Sequence, residues 1–100
     1  MQKLIITFTT GDYYATDHIY CVEYESAEDF FYELDNKIKE NWKKRQEATV
    51  YIDARFVFCG IEFDPSDFYA GDYYPPNVQT LDEWYEEKLS ENIWQTVDNK

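Results

Sequence analysis

Apolar and polar positions alternate along the chain with two distinct periods. Residues 3–10, KLIITFTT, are β-branched and aromatic and predict a strand. Residues 18–25, HIYCVEYE, predict a second strand. Period-two alternation puts His18, Tyr20, Val22 and Tyr24 on one of its faces and Ile19, Cys21 and Glu23 on the other. Gly11 and Asp12 open the turn between them, with Tyr13, Tyr14 and Ala15 at the tip, so the two runs form a hairpin with a long loop.

The period then changes. Ser26 stands three residues before Asp29, a capping-box pattern that starts a helix over residues 27–46. Ala27, Phe30, Phe31, Leu34, Ile38 and Trp42 recur at three- and four-residue spacing and form its apolar face. Residues 49–54 and 56–63 read as a second strand pair, with Asp53, Ala54 and Arg55 as a tight turn and Gly60 marking a bulge. A loop over residues 64–79 holds the three prolines. Thr80 and Glu83 form another capping box ahead of a helix over residues 81–97. In that helix Leu81, Tyr85, Leu89, Ile93 and Val97 share one row, flanked by Trp84 and Trp94.

The element order is therefore ββαββα in a single domain, residues 1–100. The expected fold is α+β: a four-stranded antiparallel sheet with two helices on one face. Leu34–Ile38 against Leu89–Ile93 is the expected core seam. The halves also echo each other: residues 19–24 resemble residues 57–63, and residues 26–31 resemble residues 80–85. That likeness raises a duplicated ββα unit, whose second copy carries an inserted loop before its helix.

Charge changes the picture more than size does. The chain carries 21 acids against nine Lys and Arg, a net charge of −12. Residues 1–36 are net −7, residues 37–45 net +4 and residues 46–100 net −9. The cations Lys37, Lys39, Lys43, Lys44 and Arg45 gather toward one helix end, where Lys43, Lys44 and Arg45 of the last turn complement the helix dipole, a dedicated anion site being the alternative. A surface this anionic repels phosphate, which opposes direct nucleic-acid binding.

Catalytic and cofactor chemistry find little to build on. His18 is the lone histidine, and in a strand it faces away from Cys21 three residues on. The three glycines build no phosphate-cradling loop. Asp64, Asp67 and Asp72 lack calcium-loop spacing, and Cys21 and Cys59 lack metal-ligand spacing. These residues point to a non-enzymatic protein without cofactor or metal. Both cysteines are expected to be free, buried thiols of a reducing cytoplasm, with a Cys21–Cys59 disulfide as the alternative. The N-terminal apolar run is too short for a signal peptide, and no run reaches transmembrane length.

The candidate chemistry is binding. Asp82, Glu83, Glu86, Glu87 and Glu91 fall in two rows at four-residue spacing on the last helix. Four residues rise about 6 Å, a scale close to that of successive phosphates on a nucleic-acid strand. Asp64, Asp67 and Asp72 extend the acidic surface, and Tyr69, Tyr73 and Tyr74 supply aromatic anchors of the kind enriched at binding hot spots.

In size, charge and aromatic content the chain resembles the small acidic inhibitors of phages and mobile elements: the DNA-mimic anti-restriction and anti-CRISPR proteins. The resemblance implies a cytoplasmic protein in a bacterial host, monomeric or weakly dimeric. Its implied partner is a basic nucleic-acid-binding protein or nuclease complex of host defence, inhibited by occupation of its nucleic-acid channel. A bacterial immunity protein or antitoxin would solve the same electrostatic problem. A small structural or regulatory interaction module is the remaining alternative.

Overall fold

The computed structural model describes residues 1–10 and 16–98, without the side chains of Ala70 and residues 91–98. The expected hairpin tip at Tyr13–Ala15 lies outside the described residues, as do the side chains of Glu91, Ile93, Trp94 and Val97.

The sheet is three-stranded. β1 (Gln2–Thr10) is central, paired antiparallel to β2 (Thr16–Tyr24) on one side and to β7 (Asn77–Thr80) on the other. The expected single sheet of four strands is thus corrected. Residues 49–55 form no strand. There Asp53 accepts a hydrogen bond from the Arg55 backbone N–H at 3.1 Å and clasps the Arg55 guanidinium at 2.7 Å. Such local bonds compete with a ladder, and Val50 and Tyr51 stay exposed.

Residues 56–63 split into two short strands, β3 (Phe56–Phe58) and β4 (Ile61–Phe63), which form their own hairpin. Cys59 (φ 51°) and Gly60 (φ 78°) make its two-residue loop. Positive φ at both central residues is the type I′ geometry that matches strand twist. Gly60 therefore turns the chain, where a bulge was expected. A 3₁₀ turn over Pro65–Phe68 and a two-residue ladder of β5 (Tyr69–Ala70) with β6 (Asp72–Tyr73) follow.

The first helix, α1 (Ala27–Glu47), forms as the pattern predicts. Ser26 caps it, its hydroxyl accepting from the Asp29 N–H at 3.1 Å. Phe30, Leu34 and Ile38, four residues apart, are fully buried against Leu4, Ile6 and Val22 of the sheet. Phe63 and Phe68 complete this core from β4 and the 3₁₀ turn.

The second helix, α2 (Leu81–Asp98), does not join that core. Leu4, Ile6 and Val78 face α1, so alternation turns Ile5, Thr7 and Gln79 to the opposite side. Gln79 Nε2 donates to Glu87 of α2 at 2.8 Å, and α2 contacts β1 and β7. The first turns of α2 therefore border the opposite face of the sheet. The consecutive run Leu4-Ile5-Ile6 agrees with this, because all three side chains are buried and only a strand covered on both faces buries such a run. The expected seam of Leu34–Ile38 with Leu89 is absent; Leu89 is exposed. The halves also differ in content: two strands precede α1, whereas five short strands and a 3₁₀ turn lie between α1 and α2.

Candidate functional site

Seventeen residues separate β4 from α2, and the sequence-selected acids and tyrosines of this segment divide by what they touch. Asp64 caps the 3₁₀ turn: it accepts from the Ser66 N–H at 3.0 Å and the Ser66 hydroxyl at 2.8 Å, and pairs with Arg45 at 3.7 Å. Tyr69 stacks between Trp42, at a centroid distance of 4.6 Å, and Tyr73, at 4.8 Å. The Tyr73 hydroxyl donates to Asp35, and Lys39 lies 5.2 Å above the Tyr73 ring. Burial and the Asp35 carboxylate both push the Tyr73 phenol far above its ordinary pKa. These three side chains pin the segment to α1 and are spent on that work.

Glu83 is also engaged. Its carboxylate accepts from the Thr80 N–H at 3.2 Å and the Thr80 hydroxyl at 2.9 Å, while its own N–H donates to Thr80 Oγ1 at 3.2 Å. This closes the capping box that the sequence predicts and fixes where α2 begins.

Three other candidates converge. Asp67, Tyr74 and Glu87 line one open groove of about 550 Å³. Thr7 and Thr9 of β1, Asp17 and Ile19 of β2, and Trp84 and Lys88 of α2 line it as well. Tyr74 is well exposed, and its backbone N–H donates to the Phe68 carbonyl at 2.8 Å, which holds it beside Asp67. Asp17 accepts from the Thr9 hydroxyl at 2.7 Å. The Asp67 backbone N–H donates to the Asp64 carbonyl at 3.0 Å, whereas its carboxylate makes no hydrogen bond or ion pair to a described residue. Lost hydration, with the neighbouring Asp64 charge, raises its pKa, and His18 only partly offsets this.

Asp72, Asp82 and Glu86 are exposed, and their side chains bond to no described residue. Glu91 lies outside the described side chains. No family model, curated protein or solved structure matches the chain.

The site is therefore read from its own geometry. Among the described residues no group of three or more His, Cys, Asp or Glu is placed to hold a metal ion. Also among them, no helix is long and apolar enough to cross a membrane. Cys21 and Cys59 are free and exposed, where burial was expected. Much of the basic cluster is consumed internally: Lys39 pairs with Asp35 at 2.9 Å, Lys43 reaches Glu47 at 4.0 Å, and Arg45 meets Asp64. Arg55 is held between Asp53 and Glu62. Two groove residues, Asp17 and Trp84, were not among the sequence-selected candidates. Asp17 had a signal in its strand alternation, one residue before His18 and thus on the face away from α1.

Proposed function

We propose that this protein is a small acidic inhibitor that binds a basic surface of a nucleic-acid-handling host-defence complex and blocks nucleic-acid binding there. It would act in the cytoplasm of a bacterial host and without catalysis. One observation carries the reading: four of the chain's cations are paired with its own carboxylates, and two acids at the start of α2 have no described partner. Arg45, Arg55, Lys39 and Lys43 are paired, whereas Asp82 and Glu86 project from successive turns without a described partner. A row of carboxylates about 6 Å apart on a capped helix complements a groove built for phosphates. Interactions of this kind act first on association rate, through steering.

The test is capture from bacterial lysate with tagged protein, at low and high salt, with and without competitor DNA. A basic nucleic-acid-binding complex that DNA displaces is the expected product. Asp82→Lys with Glu86→Lys should slow its association roughly tenfold or more while leaving the circular dichroism spectrum unchanged. A partner that DNA cannot displace overturns the channel-blocking reading and favours the neutralisation of a cognate toxin.

A further inference from the structure

The groove between the sheet, α2 and the 67–75 loop brings together parts of the chain that the charge rows on α2 do not explain. Its volume of about 550 Å³ lies within the range of roughly 300–1,000 Å³ typical of binding clefts. Three carboxylates line it: Asp17, Asp67 and Glu87. Two are held in place by neighbours, Asp17 by the Thr9 hydroxyl and Glu87 by the Gln79 amide. The third, Asp67, has no such support and shares the groove lining with the exposed Tyr74, whose backbone N–H is bonded to the carbonyl of Phe68, the residue after Asp67.

We infer that this groove receives an arginine-bearing extended segment of the partner protein, with one guanidinium stacked on Tyr74 and bonded to Asp67. The inference rests on the acidic-inhibitor reading above and names the chemistry that the partner must present.

Charge complementarity selects the occupant. The groove's three carboxylates, against the single lining cation Lys88, repel nucleic acid. They repel a second copy of a chain with net charge −12 as well. They are too dispersed for a point cation, since no group of three among the described residues could hold a metal ion. Dispersed carboxylates along an open cleft suit several cationic or polar groups on an extended chain. Arginine fits better than lysine at Tyr74 and Asp67, because a planar guanidinium stacks on a ring and bonds a carboxylate bidentately. One cation already lies near a ring in the lining: Lys88 Nζ is 5.9 Å from the centroid of Trp84, one turn back on α2. Asp17 and Glu87, already oriented, lose little freedom when a ligand arrives. The pKa of the Asp67 carboxyl is raised by partly lost hydration and by the neighbouring Asp64 charge, with His18 offsetting part of it, and an added cation would relieve both.

The probe is the peptide acetyl-Gly-Arg-Gly-Arg-Gly-amide, titrated into ¹⁵N-labelled protein at low salt and followed by NMR. Lysine and citrulline counterparts serve as comparisons. Shifts should concentrate at Asp67, Tyr74 and the Trp84 indole, with the order arginine, lysine, citrulline. Asp67→Asn with Glu87→Gln should weaken the arginine peptide about tenfold, the scale of lost charge-assisted hydrogen bonds. Glu28→Gln with Glu40→Gln on α1 removes the same charge and should weaken it less than about threefold, through the general field alone. Equal weakening by the two pairs overturns the inference, and so does equal binding of the citrulline peptide. Either result leaves the acidic-inhibitor reading standing, because that reading fails separately, when capture yields no basic partner that DNA displaces.

Discussion

Asp67 shows how a candidate side chain can be visible in the sequence while its surroundings stay hidden. Its acidity and its place in an aromatic segment were visible; its lack of a cation was not, because pairing depends on which helix turn lies opposite. A carboxyl whose folded-state pKa is raised is penalised when ionised. Stability is then greatest below the unfolded pKa and is lost as pH rises through the folded one. Asp67→Asn should therefore raise the melting temperature at pH 7. The gain should fade as pH falls through the raised pKa of Asp67 towards the ordinary value of 3.8. The gain is small, because solvent screens a carboxylate this exposed. Thermal melts across that range check it, and a pH-independent gain would refute the electrostatic cause. Cys59 is the opposite case. Its residue type suggested a buried strand, but its φ of 51° places it in a turn, a conformation rare outside Gly, Asn and Asp.

At the scale of elements, strong local signals survived and weak ones were overridden. α1 was legible because cap, period and dipole charges agree over 21 residues. β7 was not: Asn77-Val78-Gln79-Thr80 has one apolar residue and follows two prolines, and it becomes a strand only because β1 offers an unpaired edge. Residues 49–54 failed the other way, since β-branched composition did not outweigh the Asp53–Arg55 clasp. The capping box of α2 is open to direct test. Thr80→Ala should cost about 1 kcal/mol in urea unfolding, and Thr80→Ser should retain most of that stability. Equal loss from both would mean that the Thr80 hydroxyl does not carry the cap.

For the molecule as a whole, the acidic character of the site was readable from composition, and its layout was not. The candidates fell into three groups only once the loop was seen docked on α1 and the groove opened beside α2. The sequence also predicted both helices on one face, yet they flank the sheet, a consequence of Ile5 needing cover on its own side. A charge of −12 also bears on stability. Raising ionic strength from about 0.01 M to about 0.15 M shortens the Debye length from about 30 Å to about 8 Å. Self-repulsion should then relax and the melting temperature rise. An unchanged or falling value would show that the internal ion pairs outweigh the repulsion.

Thr80 ends β7 and caps α2 in the same residue, so strand passes into helix with no hinge between them. A pull on α2 is transmitted as shear along the β1–β7 ladder, from Thr7–Asn77 to Leu4–Thr80. With no linker between strand and helix, the angle of α2 to the sheet is set by the β1–β7 register.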